Sequence, residues 1–363
     1  MNVPAVNDVN PPGLWRESAD LPPIIHSVRP FTMVPHAALV DLARMVRVVV
    51  EQEIPGAMVE CGAWKGGASF LMASVLREAR ASSPARKVWM FDSFEGIQPP
   101  EAIDGPAADA WARDKDGRSY HNNLRAPLDD VYAAARSLGV AEGVEPVKGW
   151  FDKTLPVTRE RIGPIALLRI DADWHSSVKC CLDQLYDQVV DGGLIVFDDY
   201  YTWDGCAVAV HEFLGTRQLA HRIETIGYPE PVCAVFRKGG VKWAWLREQH
   251  LLGQDLIALS ASHAGRIVIV DDDALRSRLP KHLPLLPFLE RDGIYFGAPS
   301  DSASAIAEVE KVQLSGADAI VFAWISFWWL DHYSRFRRHL ADNFPRALAN
   351  EDLVVFDLRT NGN

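Results

Sequence analysis

The sequence predicts an α/β protein: a doubly wound parallel sheet followed by a second, smaller α/β unit. Three observations carry that expectation. Short apolar runs alternate with helical periodicity, the pattern of right-handed strand–helix–strand crossovers. A glycine-rich turn, Glu60-x-Gly62-x-x-x-Gly66-Gly67-x-Ser69, leads from the first run into a helix. Two neighbouring runs, Ile165 to Ile170 and Leu194 to Phe197, each end in a pair of acids, Asp171-Ala-Asp173 and Asp198-Asp199. Apolar runs of this length, bounded by polar residues, read as strands buried on both faces, with their carboxyl ends opening into a crevice.

In chain order, residues from Met1 to about Pro23 carry Pro, Asn and Asp without an apolar period, so a loose arm is expected there. Leu39 to Val50 has the period of an amphipathic helix. Met58 to Cys61 reads as a short strand, Ala68 to Arg80 as the helix after the glycine turn, Lys87 to Phe91 as a second strand closed by Asp92, and Val144 to Val147 as a third. Ile97 to Asp130 breaks the rhythm with Pro99-Pro100, Asp104-Gly-Pro106 and scattered aromatics. An insertion of this length beyond a strand end is expected to be a lid, with Trp111, Tyr120 and His121 as weak lid candidates that packing would explain as well. Asn122-Asn123 is expected to start a helix. After Asp199, Ala207 to Leu214 reads as a helix, and Arg222 to Ile226 and Val232 to Arg237 as a closing hairpin around Gly227-Tyr-Pro-Glu-Pro231.

Lys238-Gly239-Gly240 marks the expected domain boundary, giving a first domain over 24–240 and a smaller one over 241–363. The second repeats the pattern with strands at Arg266 to Val270, Ala319 to Ala323 and Leu353 to Leu358, and helices at Ala303 to Leu314 and Phe327 to Leu340. Asp271-Asp272-Asp273 follows its first strand. That run is similar to the acidic metal motif of sugar-nucleotide glycosyltransferases, but acids also favour a helix N-terminus, and Ala274-Leu-Arg follows directly. Trp324, Phe327, Trp328, Trp329, Tyr333 and Phe336 make an aromatic stripe expected to be core or interface.

Composition narrows the function classes. With 363 residues, 48% hydrophobic and 23% charged, the chain has apolar side chains enough for about two globular cores. A formal net charge of -11 argues against nucleic acid, whose backbone demands clustered Lys and Arg. No apolar stretch approaches the roughly 20 residues that span a bilayer, and the N-terminus lacks a secretory pattern, so a cytoplasmic protein without membrane partners is expected. The five cysteines form no CxxC pair and are expected to be reduced thiols.

The acids and the glycine turn suggest chemistry. Four carboxylates at one rim repel one another unless a cation or shared proton offsets them, which points to a bound divalent metal. Taken singly, either acidic pair also fits a solvated strand end that caps the next helix. The turn's spacing is not the dinucleotide GxGxxG. An acid ends each of the first two strands: Glu60 could accept from an ammonium and Asp92 from ribose hydroxyls. That combination fits S-adenosylmethionine, though an ordinary strand-to-helix turn would also carry such glycines.

Five ordered blocks then share one resemblance. Val59-Glu60-Cys-Gly-Ala-Trp-Lys-Gly-Gly67, Phe91-Asp-Ser-Phe-Glu-Gly96, Gly149-Trp-Phe-Asp-Lys-Thr-Leu-Pro156, Arg169-Ile-Asp-Ala-Asp173 and Phe197-Asp-Asp-Tyr200 resemble the macrocin O-methyltransferase-like family over about Arg29 to Lys238. The resemblance implies a class I methyltransferase with a Rossmann-like seven-stranded sheet, using S-adenosylmethionine and Mg²⁺ to methylate a sugar hydroxyl of a glycosylated natural product. It implies Asp171, Asp198 and Asp199 as metal ligands and Asp173 as general base. It assigns Thr32, Met33, Glu60, Gly62, Lys65, Gly66, Ser69, Asp92 and Ser93 to the cofactor, with Trp150 or Phe151 near the adenine. One departure stands out. Where the family commonly has an aliphatic residue and a tyrosine, this chain has Trp174-His175, so His175 competes with Asp173 as the catalytic base and the substrate pocket is expected to differ.

The expected partner is a small-molecule hydroxyl acceptor, in a homo-oligomeric enzyme. Rival readings are a catechol-like phenol O-methyltransferase, whose adjacent hydroxyls suit the same metal, and a sugar-binding or assembly module without turnover. A nucleotide-sugar glycosyltransferase is a fourth.

Overall fold

The computed structural model describes residues 22–79, 86–117, 120–226, 231–239 and 242–262, and 266–359 with short gaps between 272 and 296 and at 351. Residues 1–21 of the arm expected over 1–23, and the acids Asp272 and Asp273, lie outside the described residues, while Pro22 and Pro23 open the first helix. These residues fall into two compact units, one ending at Leu246 and the other starting at Arg247.

The first unit runs α1 (Pro22–Val28), α2 (His36–Glu51), β1 (Ala57–Cys61), α3 (Gly67–Glu78), β2 (Val88–Asp92), α4 (Pro106–Arg113), α5 (His121–Leu124), α6 (Leu128–Ser137), β3 (Val144–Lys148), α7 (Phe151–Ile162), β4 (Ile165–Ile170), α8 (His175–Leu185), β5 (Val189–Phe197), α9 (Asp204–Thr216), β6 (Glu224–Ile226) and β7 (Cys233–Arg237), and takes in the start of α10 (Trp243–Ser262). Its seven strands lie in the order β3-β2-β1-β4-β5-β7-β6. Strands β1 to β5 pair in parallel, and β7 runs antiparallel between β5 and β6. This is the doubly wound sheet the sequence pattern predicts.

Alternation along each strand feeds two cores. Met58, Met90, Leu167 and Val196 pack with α2 and α3 on one face, while Val59, Phe91, Leu168 and Phe197 pack with α7, α8 and α9 on the other. Each fully buried aliphatic or Phe side chain contributes roughly 1.5–3 kcal/mol relative to exposure, which is why a strand apolar at every position is stable only in the middle of such a sandwich. Trp243 and Leu246 belong to this unit's core, and the Glu224 carboxylate accepts from the backbone N–H groups of Trp243 and Ala244 at 2.6 and 2.9 Å. The first unit therefore extends past the Lys238-Gly239-Gly240 punctuation, because burial, which punctuation does not report, ties the start of α10 to the sheet.

The insertion is largely ordered. It holds α4, α5 and the start of α6, and its first part is fastened down: Trp174 Nε1 donates to the Gln98 carbonyl at 2.8 Å, and the buried Asp104 accepts from the His175 backbone N–H at 2.7 Å. Asn122 and Asn123 do not begin a right-handed helix. His121 to Leu124 all have positive φ, forming a left-handed turn that local propensity does not announce. Two bonds between Asn123 and Ile97 hold it, the Ile97 N–H donating to the Asn123 carbonyl and the Asn123 amide donating to the Ile97 carbonyl.

The second unit comprises β8 (Arg266–Val270), β9 (Leu285–Pro287), β10 (Glu290–Arg291), β11 (Ile294–Tyr295), α11 (Ser302–Leu314), β12 (Ala317–Ala323), α12 (Trp328–His332), α13 (Ser334–Asn343), β13 (Arg346–Ala349) and β14 (Leu353–Asp357). Its five-stranded sheet has the order β13-β14-β12-β8-β9. The helix expected over Phe327 to Leu340 is broken at Tyr333, whose hydroxyl donates to the Pro299 carbonyl and whose backbone leaves the helical region. Trp329, Tyr333 and Phe336 of the stripe are core residues, packed with Phe288 and Phe322. Asp271 is buried and its carboxylate accepts from the Leu275 N–H at 3.1 Å, the behaviour of a turn-stabilising acid.

Candidate active site

The register of three parallel strands assembles the site. Cys61 is level with Ile170, and Ile170 with Phe197, so the residues that follow β1, β4 and β5 emerge together at the sheet's carboxyl edge. Two backbone bonds extend the ladder by one step, from Asp171 N–H to the Cys61 carbonyl at 2.8 Å and from Asp198 N–H to the Ile170 carbonyl at 3.0 Å. A cavity of about 250 Å³ opens there. Its lining includes Thr32, Met33, Glu60, Gly62, Asp92, Ser93, Trp150 and Phe151, together with Asp171, Asp173, Asp198 and Asp199.

Carboxylate oxygens of Asp171, Asp173 and Asp199 lie within 4.8 Å of one another. Asp199 also accepts from the Asp173 backbone N–H at 3.0 Å, and Asp173 sits at φ 55°, a strained backbone for a non-glycine residue. Asp198 is drawn elsewhere. Its Oδ1 is bonded by the Arg169 guanidinium, which also donates to Glu60 at 2.6 Å and Asp171 at 2.7 Å. Arg169 is 2% exposed.

Electrostatics follow from this packing. Burial pushes the Asp173 carboxyl up to about 8, with Asp171 adding to the rise, and holds Asp198 at about 6 although Arg169 opposes it. Burial and then Asp173 push Asp199 well above the usual carboxylate range. One guanidinium cannot offset Glu60, Asp171, Asp173, Asp198 and Asp199 together. A hard divalent cation on the exposed side of the cluster would supply the missing charge, and an all-oxygen donor set of this kind fits Mg²⁺.

At the other end, Asp92 accepts from the Trp64 and Phe94 backbone N–H groups at 2.8 and 2.6 Å. Trp64 lines the cavity, and its indole N–H is buried without a protein partner. The glycines of this turn serve the protein itself. A Cβ on Gly62, at φ +94°, would lie 1.6 Å from the Asp171 carbonyl oxygen, and one on Gly67 would lie 2.6 Å from Thr32. Gly62 thus lets the turn after β1 pass the acidic loop, and Gly67 lets the Phe31–Thr32 segment lie over α3.

Several expected site residues fall elsewhere. His175 does not line the cavity: its Nε2 faces Glu212 at 2.8 Å, because its position at the start of α8 turns the ring away from Asp173. Lys65 lies over the Trp64 ring, 4.4 Å from its centroid, and Gly66 adopts the left-handed conformation that begins α3, packed against Phe70 and Met90. Ser69 lies outside the lining and donates to Glu60, whose other oxygen takes Arg169; each Glu60 oxygen thus holds one bond inside the protein, while Glu60 itself remains in the cavity lining. Residues the sequence reading did not assign also line the cavity: Arg169, Trp64, Gln98, Ser177, Thr202 and Trp203. An arginine inside an otherwise apolar strand was the one available signal, since Arg is almost never fully buried unless paired.

A sheet of this order with β7 reversed, a glycine turn after β1 and an acid-lined cavity at the strand ends define a class I, S-adenosylmethionine-dependent methyltransferase. The chain belongs to the macrocin-O-methyltransferase (TylF) family, which matches residues 14–238. Among its relatives, the 8-demethyl-8-(2,3-dimethoxy-alpha-L-rhamnosyl)-tetracenomycin-C 4'-O-methyltransferase of Streptomyces olivaceus is 35% identical over 210 residues, covering 57% of this chain and 74% of that protein. The demethyldecarbamoylnovobiocin O-methyltransferase of Streptomyces niveus is 33% identical over 198 residues, 54% of this chain and 72% of that protein. The solved structure of the O-methyltransferase NovP is similar with a TM-score of 0.50 and 29% identity, covering 58% of this chain and 83% of that one. Like these relatives, the chain is an O-methyltransferase. Among the described residues no helix is long and apolar enough to cross a membrane.

Proposed function

We propose that this O-methyltransferase acts on a sugar hydroxyl of a glycosylated natural product and requires Mg²⁺. The observation that carries the reading is the convergence of Asp171, Asp173 and Asp199 within 4.8 Å on the cavity wall. The rhamnosyl acceptor in the name of the Streptomyces olivaceus relative supports the acceptor class.

An alcohol is a poor nucleophile at neutral pH, and methyl transfer needs its oxygen in line with the donor carbon. Asp171, Asp199 and the Asp198 oxygen that Arg169 does not bond would hold the ion, whose charge would keep the neighbouring Asp173 ionised, and Asp173 takes the proton of the attacking hydroxyl. A bound Mg²⁺ supplies charge that orients neighbouring hydroxyls and lowers the pKa of the one that reacts. Trp203 Nε1 donates to Asp173 Oδ1 at 3.0 Å, fixing one oxygen and aiming the other. Thr32, Met33, Ser93, Trp150 and Phe151 would enclose the cofactor, beside the Asp92 loop and the free Trp64 indole N–H. The nucleophile comes from the acceptor, so no protein nucleophile is needed.

The test is methyl transfer from S-adenosylmethionine to a rhamnosylated aromatic polyketide, with EDTA and then excess Mg²⁺. Loss and recovery of activity, together with at least a ~100-fold fall in turnover for Asp173→Asn at unchanged S-adenosylhomocysteine affinity, is the expected result. Full activity in EDTA, or an Asp173→Asn variant as fast as wild type, contradicts the reading.

A further inference from the structure

The end of the cavity beside Asp173 is walled by tryptophan. Trp111 of α4 and Trp203, just before α9, both line the cavity. Their rings are steeply inclined to each other, at 66° with centroids 6.4 Å apart, forming a two-walled corner beside the Asp173 carboxylate that Trp203 bonds. Trp174, 2% exposed, backs both, at 5.8 Å from Trp111 and 5.3 Å from Trp203.

The corner is held in place from the far side. Asp104, 1% exposed and two residues before α4, accepts from the His175 and Glu101 backbone N–H groups, both at 2.7 Å. It reaches that position because Gly205 has no side chain: a Cβ there would lie 2.0 Å from Asp104 Oδ1. Helix α4, and with it Trp111, is thereby fixed to the starts of α8 and α9. The ring of Trp111 is part of a formed wall.

Resting on the sugar O-methylation reading above, we infer that Trp111 and Trp203 form the acceptor subsite and take a pyranose by its apolar face. The face of an indole is electron-rich, and the axial C–H bonds of a pyranose carry small positive charge, so one sugar face lies on the aromatic wall. The hydroxyls at the ring edge then point toward Asp173 and the acidic cluster. A corner of two rings fixes both the height and the direction of the sugar, selecting which hydroxyl meets the base. Trp111 and Trp203 thus set regiochemistry as well as affinity.

The experiment is saturation-transfer NMR on the full chain loaded with S-adenosylhomocysteine, with 4-nitrophenyl α-L-rhamnopyranoside as the probe. Calorimetry with S-adenosylhomocysteine on each variant checks the cofactor pocket. The sugar-ring C–H protons are expected to saturate most strongly in wild type. That signal should fall at least fivefold in Trp111→Ala and return largely in Trp111→Phe, with unchanged cofactor affinity in both. Saturation of the nitrophenyl protons in place of the sugar protons, an unchanged signal in Trp111→Ala, or no probe binding in wild type overturns the subsite. Failure of the wild type to bind S-adenosylhomocysteine overturns the methyltransferase reading itself, and the subsite with it.

Discussion

Arg169 offers the sharpest check on the site's electrostatics. Its guanidinium is fully buried and bonds Glu60, Asp171 and Asp198. In Arg169→Met the shape of the stem is kept and the charge is lost, leaving those acids buried without their cation. Breaking one buried ion pair in this way costs about 3–5 kcal/mol, a large share of the roughly 5–15 kcal/mol that holds a domain folded. With a urea slope of about 2–3 kcal/mol per molar, the unfolding midpoint should fall by about 1–2.5 M at pH 7.5. The deficit must depend on pH. Without Arg169 the folded-state pKa values of these acids rise further above their unfolded values. Such groups stabilise the fold below the unfolded pKa, and that contribution is lost as pH rises through the folded one. The variant should therefore regain stability on acidification from pH 7.5 toward 5, against wild type measured in parallel by circular dichroism. A wild-type midpoint at pH 7.5, or a deficit that grows on acidification, refutes the reasoning.

The other predictions are these. His175→Ala should keep methyl-transfer rates within about twofold of wild type, because the imidazole faces Glu212 and not the cavity; a large fall in turnover would restore it as a base candidate. Asp104→Ala removes a buried acceptor of two backbone N–H groups and should cost about 1–3 kcal/mol, with faster proteolytic cutting between 98 and 117 than elsewhere in the chain. Gly62→Ala places a Cβ against the Asp171 carbonyl at a positive φ; thermal unfolding should show a loss of more than about 2 kcal/mol, whereas Gly163→Ala, where nothing lies within 4 Å, should lose less.

Much of this protein is written locally. The alternation of apolar strands and amphipathic helices specifies a parallel sheet covered by helices, since strands such as Ile165 to Ile170 must be buried on both faces. The acids at those strand ends are legible for the same reason: a parallel sheet puts strand carboxyl ends at one rim. Left-handed His121 to Leu124 was not legible, because its conformation is held by Ile97, far away in the chain, against local preference.

What each acid does once it reaches the rim depends on neighbours that sequence spacing does not reveal. Glu60 and Asp198 lie 109 and 29 residues from Arg169, and only strand register brings them to one guanidinium. The side of α8 on which His175 falls, and the meeting of Trp111, Trp174 and Trp203, are likewise matters of packing between elements. Hydrophobic periodicity determines which strands are buried, while contacts between distant residues decide which polar side chains at their ends are engaged within the protein and which remain to meet a ligand.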